Sequence, residues 1–165
     1  MAFALAINNL IESMQKPGCP VCRLFRLGAE RALESFLWEN VNEPDVRQGI
    51  LDSYGFCPAH TRVMVSQEIL TSSVPLGTNI IYEHLGRVVA GELRALRPGS
   101  TAGTVRGFLN RAGLQKGPGA LQPRGECPAC QAGNNAAINS LHVLCEEAGK
   151  EGDVRVEYLR SDRLC

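Results

Sequence analysis

Seven residues of this chain carry metal-ligand chemistry at ligand spacing. Cys19-Pro20-Val21-Cys22 and Cys127-Pro128-Ala129-Cys130 each place two thiols two residues apart. Cys57-Pro58-Ala59-His60 places a thiol and an imidazole at the same interval, and Cys165 completes the set. Zinc takes four ligands in a tetrahedron, and thiolate with imidazole is its commonest structural combination. Two cysteines in one tight turn face a single ion, and the proline after the first stiffens that turn. A Cys-x-x-His step at a helix start adds the positive end of the helix dipole to the thiolate. Grouped by nearness in the sequence, Cys19, Cys22, Cys57 and His60 make a complete Cys3His site that closes 34 intervening residues. Cys127, Cys130 and Cys165 then begin a second site that lacks its fourth ligand.

Other readings of these residues are weaker. A redox Cys-Pro-x-Cys needs a preceding apolar strand in a βαβ unit, and here a helical pattern and Gln15-Lys16-Pro17-Gly18 precede it. His142 and Cys145 lie three apart, so His142 is an alternative fourth ligand for Cys127, Cys130 and Cys165. Their counterparts near the first motif are Glu34 and Leu37, which favours a half-buried helix face for both. His84 reads as a partly buried helical histidine. No carboxylate pair, Ser-His-Asp order, phosphate-binding glycine loop or HExxH string occurs, so no enzyme is expected.

The cysteines also write a repeat. At a constant offset of 108, Cys19, Cys22 and Cys57 fall on Cys127, Cys130 and Cys165 without a gap. Asp45-Val46-Arg47 falls on Asp153-Val154-Arg155, and Ala29, Leu33, Leu51 and Ser53 also find identical partners. The expectation is an internal duplication of a zinc-knuckle and helix unit. It further predicts a histidine three positions beyond Cys165, so that the sequence is cut inside its second site.

These ligands need helices to position them, and the pattern supplies helices throughout. Phe3, Ala6, Ile7, Leu10, Ile11 and Met14 share a helical face, with Pro17-Gly18 as the stop. The Cys-Pro-Val-Cys turn leads into an amphipathic helix over 23–41. A short helix over 42–54 has Asn42 as cap, Pro44 in its first turn and Gly55 as terminator. Pro58 opens another over about 58–71, and 76–96 is a long apolar-striped helix. Strand signals are nearly absent, so the fold class is all-α. From Arg97 to Glu126, seven glycines and three prolines leave room only for a helical turn at Thr104–Ala112. The expected organisation is a helical repeat over 1–96 with its complete site, a basic linker over 97–126, and a second repeat over 127–165.

Composition bounds the rest. With 17 basic and 17 acidic residues the formal charge is zero, so no global field draws the chain to nucleic acid or acidic lipid. Seven cysteines, an odd number, with no basic leader before the first apolar stretch, point to reduced thiols and a cytoplasmic protein. No apolar run reaches the roughly 18 residues a membrane span needs.

The motif string resembles a family of uncharacterised bacterial proteins. It carries CPxC, a helix, an acidic-Pro-Asp-Val-Arg string, GFCxxH, an LG-led helix with His-Leu, a second CPxC and a final LCxxH. Here these are Cys19–Cys22, Glu43–Arg47, Gly55–His60, Leu76–Leu85, Cys127–Cys130 and Leu164-Cys165. The last motif departs from the pattern, since Arg163-Leu164 replace Gly-Phe. The resemblance implies a fold and brings no assigned reaction. The functional expectation is a structural zinc protein acting as a binding or scaffold module for a protein partner. The alternatives are a thiol and zinc redox sensor, or nucleic-acid binding through the basic segment 94–124. The zero net charge and lone Phe108 argue against the last.

Overall fold

The computed structural model describes residues 2–95, 123–162 and 164–165, and among these it has no strand. The helices are α1 (Ala2–Met14), α2 (Pro20–Ser35), α3 (Pro44–Asp52), α4 (Pro58–Ser72), α5 (Leu76–Ala95), α6 (Pro128–Glu147) and α7 (Asp153–Arg160). A π-helical turn, Phe36–Asn40, extends α2. The all-α expectation is met. Residues 97–122, which hold most of the expected linker, its Thr104–Ala112 turn and most of the basic segment, lie outside the described residues.

Proline opens four of the described helices, α2, α3, α4 and α6. Cys19, Cys57 and Cys127 are the N-caps of α2, α4 and α6, and each is followed by proline at the first helical position. Proline there loses no hydrogen bond, because the first N–H groups of a helix have no partner within it. The Cys-Pro-Val-Cys motif is therefore the cap and first turn of α2, and not a turn ahead of the helix. Gly18 allows this with a φ of 89°, a left-handed conformation that glycine adopts without steric cost. Arg23 reaches back from α2 and donates to the carbonyls of Ser13 at 2.6 Å, Lys16 and Pro17, satisfying the end of α1. At α3 the cap position belongs to Glu43 rather than Asn42, and the Glu43 side chain makes no capping hydrogen bond.

Two apolar clusters hold the chain together. Ala29, Leu33, Phe36, Ile50, Phe56, Met64, Ile81 and Ala129 form one. Leu10, Met14, Leu24, Val143, Leu144 and Val154 form the other. Phe36 and Phe56 meet edge to face with ring centroids 5.5 Å apart. Fully burying each large apolar side chain contributes roughly 1.5–3 kcal/mol. Both clusters mix residues from before and after the segment 97–122, so the two expected repeats share their cores.

The pairing of α2 with α6 decides where the ligands go. Ala129, at the start of α6, belongs to the cluster that holds the second half of α2. Leu24, near the start of α2, belongs with Val143 and Leu144 from the second half of α6. The two helices therefore run antiparallel. They approach closely because two glycines face the contact. A Cβ on Gly28 would stand 2.6 Å from the Cβ of Ala136, and one on Gly133 would stand 2.8 Å from the Phe25 carbonyl oxygen.

A buried carboxylate joins α4 to α5. Glu68 accepts hydrogen bonds from the backbone N–H of Gly77, from the N–H of Thr78 at 3.0 Å and from the Thr78 hydroxyl at 2.6 Å. A negative charge at a helix N-terminus is favoured by the helix dipole and satisfies donors that would otherwise be unpaired.

Candidate metal centre

The geometry follows from one length. At about 1.5 Å per residue, the sixteen residues of α2 carry the chain roughly 24 Å from the helix start, where Cys19 and Cys22 lie. After α3, the turn at Tyr54 and Gly55 redirects the chain with φ values of 53° and 93°, and Cys57 follows. At that end of the molecule the available thiols are those at the start of antiparallel α6. Cys57, His60, Cys127 and Cys130 accordingly form one group, with their ligand atoms all within 4.8 Å of one another. At the opposite end, Cys165 after α7 joins Cys19 and Cys22 under the same criterion.

This corrects the grouping expected from the sequence. All seven expected ligands fall into clusters, but the Cys19, Cys22, Cys57, His60 set does not form. Among the described residues before 96 no four-residue Cys/His group forms, and each Cys-Pro-x-Cys meets the cysteine that follows the other one. Backbone contacts repeat the crossing. The N–H of Gly18, beside Cys19, donates to Asp162 at 2.6 Å, shortly before Cys165. The N–H groups of Arg124 and Gly125, shortly before Cys127, donate to the Asp52 carbonyl at 2.7 and 3.2 Å. His142 and Cys145 are exposed on α6 and belong to neither group. Sequence reasoning missed Gly28, Gly133 and Asp162 as positioning residues. The visible signal was an isolated glycine inside each of two helical patterns, which often marks close packing.

In the four-ligand group, the Nδ1 of His60 is 3.3 Å from Cys57 Sγ, 3.3 Å from Cys130 Sγ and 3.6 Å from Cys127 Sγ. Cys57 and Cys130 sulfurs are 3.8 Å apart. A tetrahedral ion with metal–sulfur bonds of about 2.3 Å and metal–nitrogen bonds of about 2.0–2.1 Å requires S···S near ~3.8 Å and S···N near ~3.5 Å. The residues fit such an ion, and all seven cysteines are free of disulfides. All four ligands are half-buried. In the three-cysteine group Cys19 is half-buried, Cys22 and Cys165 are exposed, and the Cys22 and Cys165 sulfurs are 3.5 Å apart.

The thiols in each group compete for negative charge. Burial raises the Cys19 pKa, but backbone N–H groups of Cys22 and Cys165 and hydrogen bonds from their thiols outweigh it, bringing it down to about 7. Cys22 is pushed up to about 11 by hydrogen bonding to Cys165 and Cys19 and by their charge. Burial likewise opposes ionisation of Cys57, but backbone N–H groups of His60 and Ala59 and the thiols of Cys130 and Cys127 lower its pKa. Cys130 rises to about 12 through burial, its hydrogen bond to Cys57 and the neighbouring thiolates. Each cluster thus favours one thiolate and resists the next. A cation among the sulfurs removes that resistance, because it stabilises every thiolate at once.

Residues 3–102 match the model of a family of unknown function, DUF6062, and the chain belongs to that family. The match spans Cys19, Cys22, Cys57 and His60 and stops before Cys127. No curated protein and no solved structure matches the chain.

Proposed function

We propose that the protein is a zinc-stabilised helical scaffold whose ion at Cys57, His60, Cys127 and Cys130 joins the helices before residue 96 to α6. The observation that carries this reading is the set of S···N and S···S distances around His60 Nδ1, which fit a tetrahedral zinc ion. Four protein ligands with no position left for substrate are the mark of a structural rather than a catalytic zinc. The His60 ring presents Nδ1 to the sulfurs, so the neutral tautomer protonated at Nε2 is the one that binds metal. The Cys19, Cys22 and Cys165 group takes a second ion at the other end of the α2–α6 pair.

The scaffold role draws support from the surface. Ile69, Leu70, Val74 and Leu76, around the α4–α5 turn, are large apolar residues left exposed, Leu70 at 85%. Such residues suit a protein partner better than a phosphate backbone. No described helix is long and apolar enough to cross a membrane.

The test is metal analysis of protein purified without chelator, followed by chelation monitored by far-UV circular dichroism. Tightly held zinc whose removal reduces helicity supports the reading. Protein that contains no zinc, takes none up and keeps its helicity overturns it.

A further inference from the structure

We infer that the Cys22–Cys165 pair is an oxidative modification site, at which a hydroperoxide converts the two thiols to a disulfide. Their sulfurs lie 3.5 Å apart and both residues are exposed. A disulfide bond is about 2.05 Å long, so only a short closing movement separates the pair from bond formation. The two residues differ in how they are held. Cys22 is fixed in the first turn of α2, whereas Cys165 lies outside any helix, after α7. Closing the bond therefore calls for displacement of Cys165 rather than of α2. Gly18 and Asp162 already hold the two stretches together.

The other cluster is protected from the same chemistry. Cys57, Cys127 and Cys130 are half-buried, and the His60 ring nitrogen sits within 3.6 Å of all three sulfurs. Cys57 and Cys127 cap helices anchored in the first apolar cluster. Reactivity toward peroxide follows thiolate character and access, and access distinguishes the two groups.

The reaction balances without any further reagent. One thiol sulfur attacks the peroxide, the O–O bond breaks, an S–O bond forms and one water leaves, giving a sulfenic acid. The second thiol sulfur attacks that sulfur, the S–S bond forms, the S–O bond breaks and a second water leaves. Two thiols lose two electrons in all, and hydrogen peroxide gains them to become two waters. The product joins residues 143 positions apart. It also removes two thiolates from the three-cysteine group, so any ion held there is released. Only that last consequence rests on the metal reading above; the disulfide itself does not.

The experiment treats the full chain with a small excess of hydrogen peroxide, blocks remaining thiols and maps disulfides by mass spectrometry of a non-reducing digest. The expected product is a peptide joining Cys22 to Cys165, with Cys57, Cys127 and Cys130 recovered as blocked thiols. Cys165→Ser should abolish the cross-link, while Cys145→Ser should leave it unchanged. A dominant Cys19–Cys22 disulfide, or oxidation of the Cys57 group at an equal rate, overturns the inference. Because mapping also works on metal-free protein, a negative result there is distinct from failure to find zinc at Cys57, His60, Cys127 and Cys130.

Discussion

The Nδ1 of His60 lies 3.3 Å from the Sγ of Cys130, seventy positions along the chain. That contact states the arrangement of the molecule in one pair. An imidazole from the start of α4 joins Cys57 and the motif at the start of α6, while Cys19 and Cys22, nearer to it in sequence than Cys127 and Cys130, lie at the opposite end. A metal ion held at this point would link distant stretches of chain, so its loss should be felt beyond the immediate turn.

Chelation should therefore lower the unfolding temperature, and zinc should restore it. Apparent binding free energies of roughly 10–16 kcal/mol are known for zinc-finger peptides that lack any other core. Here two apolar clusters share the task, so the metal-free chain should keep partial helicity and unfold with lower cooperativity. Thermal melts followed at 222 nm with and without chelator measure both effects.

Acid should release the metal. Binding requires ionised thiols, and protons compete for them as pH falls. Without metal, Cys22 and Cys130 have pKa values raised to about 11 and about 12, so both are protonated at neutral pH. Zinc uptake at pH 7.5 should therefore expel protons, and affinity should increase with pH across the neutral range. Calorimetric titrations in buffers of different ionisation enthalpy report the number released. Uptake without proton release would contradict the ligand assignment.

Gly133→Ala should disturb both clusters although it alters no ligand. Its new methyl group meets the Phe25 carbonyl at 2.8 Å and the Phe25 ring at 2.9 Å. Overpacking of this kind costs about 1–3 kcal/mol, read as a lower denaturation midpoint. Because α2 and α6 place all the cysteine pairs, zinc affinity should fall as well. A substitution of similar size at Gly49, where a Cβ meets nothing within 4 Å, serves as control.

Glu68→Ala should destabilise the α4–α5 junction. It leaves the N–H groups of Gly77 and Thr78 and the Thr78 hydroxyl without their acceptor. Unpaired buried donors cost about 1–3 kcal/mol. Amide hydrogen exchange should show faster opening at residues 76–80, with zinc content per chain unchanged.

Which residues join the two Cys/His groups was legible from spacing, because a two-residue gap forces two side chains onto one side of a turn wherever that turn sits. Helix starts were legible in part: Pro44 and Pro58 stand in the first turn of a helix as expected, whereas Pro20 and Pro128, read as turns ahead of a helix, stand at its first position. Which turn meets which was not legible. Local spacing is identical for a site closed within residues 1–96 and for one exchanged with α6. The choice is made by long-range packing, where Gly28 lies against Ala136 and Gly133 against Phe25. The length of α2 held a clue, since a rigid rod between Cys22 and Cys57 works against a short return. The π-helical turn at Phe36–Asn40 gave no sequence signal distinct from an ordinary helix.

Thiol protection by substoichiometric zinc tests the crossed arrangement most directly. Metal-free protein given less than one equivalent of zinc is alkylated briefly, and each cysteine is quantified by mass spectrometry. The four-ligand group binds first, so Cys57, Cys127 and Cys130 should be protected together while Cys19, Cys22 and Cys165 react. Joint protection of Cys19, Cys22 and Cys57, with Cys127 and Cys130 reactive, would contradict the account.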